Sequence, residues 1–140
     1  MLEDAADARN FHARLIHLFL TAAYEGRPGI SIAIVGAGAT GTELAAEIVA
    51  GHHELAKGLH PAHSFKMTVT LIEAADRILS GLSPRVSASV QSELQRRGVE
   101  VRTGTRVEAV TPDGLQTTSG WIAAECCGLG CGGFGIAREY

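Results

Sequence analysis

Apolar residues recur along this chain with two different spacings, and each spacing predicts a type of secondary structure. Over residues 2–24 they recur every three or four positions, which predicts an amphipathic N-terminal helix that ends at a linker, residues 25–29. Residues 31–35 form a continuous apolar run, and residues 67–72 form a second run rich in β-branched side chains. Both runs are typical of buried strands.

Helical spacing returns after the second of these runs. Ser83 and Pro84 are a typical helix cap and first-turn residue, and Gly98 closes the predicted helix before a third strand at residues 99–102. Strands that alternate with helices along a chain predict a doubly wound parallel sheet with right-handed crossovers.

The last third of the chain has a different pattern. Short alternating segments at residues 107–110, 115–118 and 121–124 are separated by turn residues, among them Pro112-Asp113-Gly114. These segments predict an antiparallel β-meander. The expected fold class is therefore α/β, a Rossmann-like parallel sheet with a small antiparallel β-meander and an N-terminal amphipathic helix.

A glycine-rich turn between the first strand and the following helix carries the most chemistry. Gly36, Gly38 and Gly41 give a G-x-G-x-x-G pattern, in which the first glycine makes a tight turn, the second lets backbone approach a pyrophosphate and the third lets helix and strand pack closely. Glu73 ends the second strand, where a carboxylate can accept both ribose hydroxyls of an adenosine. The pattern predicts binding of NAD rather than NADP.

Other interpretations of these residues remain open. The glycines could serve only helix packing, with Glu73 a solvated strand end. The gap from Gly41 to Glu73 exceeds the usual spacing of about 20 residues, so we expect an insertion at residues 51–66. Arg77 could bind a 2′-phosphate, but Glu73 would repel that phosphate, and we expect Arg77 to face solvent.

Composition narrows the possible classes of function. The chain has 140 residues, enough for one core, and a net charge of −3, which gives no electrostatic footprint for nucleic acid or anionic lipid. It has no apolar run long enough to span a membrane. The N-terminus is acidic where a secretory signal would be basic, so we expect a cytoplasmic location.

Cysteine and histidine residues raise the question of a metal. Three cysteines lie close together in residues 126–131, and an odd number of cysteines cannot all pair in a disulfide framework. Four histidines lie within residues 52–63. No paired C-x-x-C spacing exists, so we predict no metal site. The N-terminal helix lacks a basic polar face, and we expect it to pack on the domain rather than on a membrane.

In the order of its predicted elements and in its glycine-rich turn, the chain resembles the NADH-binding domain of type II NADH:quinone oxidoreductases. These are flavoproteins of the pyridine nucleotide-disulfide oxidoreductase superfamily. The resemblance covers residues 1–124 and is carried by residues 34–47, IVGAGATGTELAAE, and residues 69–79, VTLIEAADRIL. It implies that NADH reduces FAD, which then reduces a membrane quinone. It also implies a complete enzyme that lies peripherally on the cytoplasmic face of the membrane.

The resemblance assigns roles to particular residues. The residues that would hold the pyrophosphate of NADH are Gly36, Gly38, Thr40 and Gly41. Glu73 would bind the adenosine ribose. Glu43 would be the catalytic residue, projecting toward nicotinamide and flavin, where a carboxylate can orient the carboxamide or relay a proton. Alternatively, Glu43 has no catalytic role, and its negative charge near the N-terminus of the helix is favoured by the helix dipole alone.

The chain also departs from the family pattern. We expect a fragment, because no second glycine turn for an FAD domain is present, so FAD would belong to the parent protein and this chain alone would be inactive. The predicted organisation is a helix and linker at residues 1–29, an NAD(H)-binding domain at residues 30–124 and a non-family tail at residues 125–140. The tail is rich in glycine and is expected to make a poor strand.

The tail suggests a hypothesis about the gene. One set of codons for residues 125–133, shifted by one base, spells Ser-Ala-Ala-Val-Trp-Ala-Ala-Gly, the strand pattern of the family. A frame shift near Ala124 would explain this, and a nucleotide sequence that yields the pattern in neither other frame would reject it. The first strand would then have an exposed apolar edge, which favours a homodimer.

Two further functions remain open beside the NADH dehydrogenase. The domain could belong to a ferredoxin or disulfide reductase, although the disulfide branch usually has a redox-active C-x-x-C that this chain lacks. The chain could also be a non-catalytic interaction protein on a degenerate nucleotide fold. Saturable NADH binding separates the last function from the other two.

Overall fold

Helices and strands alternate over residues 5–57, 66–129 and 133–135, which are the residues that the computed structural model describes. In chain order the elements are α1 (Ala5–Tyr24), β1 (Gly29–Val35), α2 (Ala39–Lys57), β2 (Lys66–Ile72), α3 (Pro84–Arg96), β3 (Val99–Arg102), β4 (Val107–Thr111), β5 (Gly114–Thr117), β6 (Gly120–Ala123), β7 (Cys126–Leu129) and β8 (Gly133–Gly135).

Two sheets are built from these strands. The larger has the spatial order β3-β2-β1-β7-β8, and its first four strands run parallel. The smaller is an antiparallel meander of β4, β5 and β6. The predicted fold class is confirmed, with each of the predicted helices and strands present in the described residues.

The two faces of the large sheet have different coverings. Along β1 the side chains of Ile30, Ile32 and Ile34 share one buried cluster with all three helices, whereas Ala33 shares a second cluster with the meander. The prediction of a doubly wound sheet is therefore wrong in one respect, since the helices within the described ranges cover one face only. Right-handed crossovers that step the same way from β1 to β2 to β3 place their helices on the same face.

The prediction that the tail makes a poor strand is also wrong. β7 pairs parallel to β1, with Ile32 opposite Cys126 and Val35 opposite Leu129. Strand pairing uses backbone groups that glycine retains, so the glycine content of the tail does not prevent it. β7 covers the edge of β1 that we expected to be exposed. The structure therefore gives no support for the homodimer that we predicted through that edge.

A pair of opposite charges fixes the start of β7. Glu125 donates its backbone N–H to the carbonyl of Ser31 at 2.8 Å, and its carboxylate makes an ion pair with Arg27 in the linker before β1. The Ser31 N–H donates to the same carboxylate at 3.4 Å. Glu125 therefore aligns the last parallel strand with the first one.

Helix ends follow the sequence signals at α3 and depart from them at α2. The Ser83 hydroxyl accepts the N–H of Val86 and caps α3, and Pro84 is its first residue, as predicted. Helix α2 continues to Lys57, so the first part of the expected insertion is helical. Residues 58–65, with the rest of that insertion, lie outside the described part of the chain.

Helix α1 contacts α2 through Phe19, whose ring meets that of His52 edge-on at 5.6 Å. Burial lowers the pKa of the His52 imidazole below its usual value of 6.5, and the neighbouring His53 lowers it further. The folded chain therefore prefers neutral His52, while the unfolded chain binds a proton below pH 6.5.

This pKa difference predicts how stability depends on pH. The stabilisation from neutral His52 is complete above pH 6.5 and is lost as the pH falls through the lower pKa of the folded state. We expect His52→Gln to reduce the loss of stability between pH 7.5 and pH 5, as measured by urea denaturation. The exposed His17 offers the matched control His17→Gln. An unchanged pH profile in His52→Gln would contradict the prediction.

Candidate functional site

The glycine turn lies at the carboxyl end of β1. Gly36 has φ of +99°, a conformation that favours glycine, and its N–H donates to the carbonyl of Ile72 at 2.8 Å. A Cβ at Gly41 would lie 1.9 Å from the Gly36 carbonyl oxygen, so helix α2 starts directly against the turn. Gly38 is exposed, with no atom within 4 Å of where its Cβ would lie. The tight turn predicted at Gly36 and the close helix–strand packing predicted at Gly41 are found, whereas the approach of a pyrophosphate to Gly38 stays a prediction.

Backbone amides at the start of α2 lie before the first hydrogen bond of the helix. The first backbone bond of the helix runs from the Thr42 N–H to the Gly38 carbonyl at 3.0 Å. The amides of residues 38–41 therefore precede the helical bonding pattern and have no partner inside the helix. Together with the positive end of the helix dipole they form a site suited to a phosphate.

Glu73 lies at the same edge of the sheet as the turn. Val35 and Ile72 are paired in register, so the residues that follow them leave adjacent strands side by side. The Glu73 main chain is held on both sides, since its N–H donates to the Arg102 carbonyl at 2.8 Å and its carbonyl accepts the Thr105 N–H at 3.0 Å.

The side chain of Glu73 is fixed as well. Its Oε2 atom accepts the N–H of Ala74 at 3.0 Å. A carboxylate has about four acceptor positions, so capacity remains for two hydroxyl groups. The structure thus brings Glu73 and the glycine turn together in the arrangement that the sequence predicted.

Glu43 is exposed on α2, the helix that follows the turn. It is the fifth residue of this helix, and the first turn of the helix contains no acidic residue. The dipole effect falls off within the first turn, so selection of Glu43 by the dipole alone has little support. Thr40, the other predicted site residue on this helix, is half-buried in that first turn.

Arg77 is half-buried, so the expectation that it faces solvent holds only in part. Its Nη2 atom donates to the carbonyls of Ser80 and Leu82 at 2.9 and 3.1 Å, and its Nε atom is buried. The two carbonyls belong to the loop between β2 and α3, where backbone acceptors lack helical or strand partners. Arg77 therefore braces this loop.

Two residues beside the turn have no sequence signal. Leu79 has φ of +48°, and its N–H donates to the Ala37 carbonyl at 2.8 Å. The Ser87 hydroxyl donates to the Leu79 carbonyl at 3.2 Å. A leucine with positive φ is uncommon, so no residue pattern predicts this conformation.

A cavity of about 270 Å³ lies elsewhere in the fold. Gly29 and Ser31, at the amino end of β1, line it together with Asp113 and Glu125. The glycine turn leaves the carboxyl end of the same strand, so this cavity is separate from the candidate site.

The described part of the chain contains neither a cluster of metal ligands nor a membrane-spanning helix. Within residues 5–57, 66–129 and 133–135, no three histidine, cysteine or acidic side chains lie together as metal ligands. His60, His63 and Cys131 lie outside those ranges, as do the side chains of Cys126 and Cys127. None of the described helices has the length and apolar character needed to cross a bilayer.

Comparison with known proteins identifies the family. The family described as pyridine nucleotide-disulphide oxidoreductase matches residues 3–132, which is most of the chain. This chain belongs to the pyridine nucleotide-disulphide oxidoreductase family. The match extends beyond residue 124, the boundary that we predict for the nucleotide-binding domain.

Curated members of the family that resemble this chain are NADH:quinone oxidoreductases. The type II NADH:quinone oxidoreductase of Haemophilus influenzae is 39% identical over 92 residues, which cover 65% of this chain and 21% of that protein. The external alternative NAD(P)H-ubiquinone oxidoreductase B4 of Arabidopsis thaliana is 31% identical over 140 aligned positions, covering 91% of this chain and 24% of that protein. The resemblance inferred from the sequence is confirmed.

A solved structure supports the same fold. NDH2 from Plasmodium falciparum in complex with NADH superimposes with a TM-score of 0.65 at 18% identity, covering 76% of this chain and 23% of that one. This chain therefore spans about a fifth to a quarter of the length of the relatives it matches.

Proposed function

We propose that this chain is the NADH-binding part of a flavoprotein NADH:quinone oxidoreductase. The observation that carries the proposal is the open, exposed Gly38 turn beside Glu73 at one edge of the parallel sheet. FAD would be held by parts of the parent protein outside this chain and would pass electrons from NADH to quinone. This chain alone would bind NADH without oxidising it.

The turn would bind the pyrophosphate of NADH through backbone. The residues proposed to form this site are Gly36 and Gly38 in the turn between β1 and α2, and Thr40 and Gly41 in the first turn of α2. The amides of Gly38, Thr40 and Gly41 have no helical partner and would meet the negative charge of the phosphates with a positive partial charge. The Gly36 N–H donates to the Ile72 carbonyl, so Gly36 would contribute the shape of the turn rather than a free donor. Gly38 matters most, because its exposed backbone leaves the space that a phosphate would fill.

Glu73 would recognise the adenosine ribose. Its carboxylate is held at the strand tip by Ala74 and keeps acceptor capacity for the two ribose hydroxyls. A 2′-phosphate would meet the same negative charge, and the Arg77 guanidinium that could offset it is bound to loop carbonyls. Both features favour NADH over NADPH.

Glu43 would act at the nicotinamide end of the bound dinucleotide. It is exposed and follows the phosphate turn on the same helix, so a carboxylate there could orient the carboxamide or hold a proton. This role concerns the assembled flavoprotein, which we propose to be a peripheral protein on the cytoplasmic face of a membrane.

Titration of the purified chain with NADH and with NADPH tests the proposal. We expect saturable NADH binding, weaker NADPH binding and no bound flavin absorbance. Glu73→Gln is expected to weaken NADH binding about tenfold and to improve NADPH binding, because a charged acceptor that also repels phosphate becomes neutral. Isothermal titration calorimetry measures both affinities.

The nearby exposed Asp76 offers a matched control, since Asp76→Asn removes the same charge from the same loop. This control is expected to leave the ratio of the two affinities within about twofold. Absence of saturable NADH binding would instead favour the non-catalytic interaction protein. Preferential NADPH binding by the unaltered chain would contradict the role of Glu73.

The choice among electron acceptors rests on the relatives. A ferredoxin or disulfide reductase would share this domain, but the curated relatives compared above act on quinones according to their names. The quinone acceptor is therefore the one that we propose.

A further inference from the structure

The Ala37 carbonyl joins the glycine turn to the loop that follows β2. It accepts the Leu79 N–H at 2.8 Å and, at the longer distance of 3.5 Å, the Thr42 hydroxyl. A trans peptide bond is planar, and the described residues contain no cis peptide, so the Ala37 carbonyl and the Gly38 N–H point in opposite directions. The bond from Leu79 therefore turns the Gly38 N–H away from the loop, and Gly38 itself is exposed beside open space.

Leu79 has an unfavourable backbone conformation while its N–H donates to the Ala37 carbonyl. Its φ of +48° lies in the left-handed region, where a leucine side chain crowds the following carbonyl. The conformation is held at the carbonyl as well as at the N–H, since the Leu79 carbonyl accepts the Leu82 N–H at 2.9 Å and the Ser87 side-chain hydroxyl at 3.2 Å. Strain of this kind persists only where the surroundings fix it.

Ser87 is the distant end of this connection. It is buried in α3, at 2% exposure, and its backbone N–H donates to the Ser83 carbonyl of its own helix. A serine inside a helix commonly donates its hydroxyl to a carbonyl of the same helix. The Ser87 hydroxyl instead reaches Leu79, so α3, the loop and the glycine turn are joined by consecutive hydrogen bonds.

We propose that Leu79 and Ser87 are positioning residues for the bound dinucleotide, which orient the Ala37–Gly38 peptide so that its N–H faces the pyrophosphate. This proposal rests on the proposed function, because it concerns the same NADH site. Neither residue touches the ligand. Their effect is to hold the Gly38 N–H in its binding orientation before NADH arrives. Without them, the Ala37–Gly38 peptide would have to rotate into that orientation when NADH binds.

Ser87→Ala tests the proposal in the chain as it exists. The Leu79 carbonyl keeps its bond from Leu82 in this variant, so no buried acceptor is orphaned and the fold is expected to persist. In the ligand-free chain we expect hydrogen exchange of the Leu79 amide to accelerate about tenfold, with a shifted Gly38 amide resonance. The NADH dissociation constant is expected to rise about fivefold.

Ser89→Ala is the matched control, since Ser89 is exposed on the same helix. It should change neither the resonance nor the affinity. A second variant replaces the Leu79 amide by an ester through incorporation of the α-hydroxy analogue of leucine, which removes the N–H donor, keeps the side chain and makes the Ile78 carbonyl a weaker acceptor. We expect the ester variant to shift the Gly38 resonance and to weaken NADH binding more than Ser87→Ala does.

The outcomes separate this inference from the proposed function. If the unaltered chain binds NADH but both variants bind it equally well, the positioning role is overturned and the proposed function stands. Unchanged Gly38 resonances in both variants overturn it without any reference to ligand. If the unaltered chain does not bind NADH, the proposed function fails and the role toward a pyrophosphate fails with it.

Discussion

Gly38→Val is expected to abolish NADH binding while the chain remains folded. A Cβ at Gly38 meets no atom within 4 Å, so the protein has room for the new side chain. The cost to folding should be about 1 kcal/mol or less, because valine is only a poorer residue than glycine at the start of a helix. The valine would occupy the space in front of the turn, where the pyrophosphate is proposed to lie.

Loss of the phosphate contacts is expected to raise the NADH dissociation constant at least 100-fold, since charge-assisted hydrogen bonds contribute about 1.5–3 kcal/mol each. Calorimetric titration measures the affinity, and urea denaturation measures the free energy of unfolding. Tight NADH binding by Gly38→Val would contradict the proposed site.

Gly41→Val is the comparison variant, with the opposite expected effect on folding. Its Cβ would lie 1.9 Å from the Gly36 carbonyl oxygen, a backbone atom that cannot move without the turn. We expect a loss of about 3 kcal/mol or more in the free energy of unfolding. The two variants therefore distinguish a glycine that is needed for ligand binding, Gly38, from a glycine that is needed for folding, Gly41.

Leu115→Ala is expected to destabilise the chain by about 2–5 kcal/mol. Leu115 on β5 is 0% exposed and packs with Ile72 and Ile122 where the meander meets the parallel sheet. Removing its side chain leaves a cavity between two sheets, and sheets adjust little to fill such a space. The loss is a large part of the total stability of a domain of this size, about 5–15 kcal/mol.

Val110→Ala is the control for this variant. Val110 lies directly opposite Leu115 in the β4–β5 register, yet it is 52% exposed. Its truncation is expected to cost less than about 1 kcal/mol in urea denaturation. Equal effects of the two substitutions would show that the meander does not pack on the sheet as described.

The order of helices and strands was predictable because local signals carried it. Glycines, Pro84 and the spacing of apolar residues marked the ends of elements, and Gly36, Gly41 and Glu73 have the local geometry expected of them. Their role in binding a nucleotide stays a prediction.

Contacts between distant segments were not predictable in the same way. Pairing of β7 with β1 depends on backbone groups, which every residue type in the tail supplies. A prediction based on the glycine content of the tail therefore missed this strand. Arg77 and Leu79 are placed by carbonyls of a loop whose path no periodic pattern reveals. Sequence patterns report neighbours along a helix or strand, whereas these residues act across loops.

The bond between Leu79 and Ala37 has a consequence for protein engineering. A short glycine peptide copied from this chain into another scaffold would arrive without the Leu79 N–H, the closer of the two donors to its Ala37 carbonyl. A transplant that keeps the phosphate-facing geometry would have to carry the strand-to-helix loop around Leu79 and a hydroxyl equivalent to Ser87. The smallest portable unit is thus assembled from three separate stretches of chain.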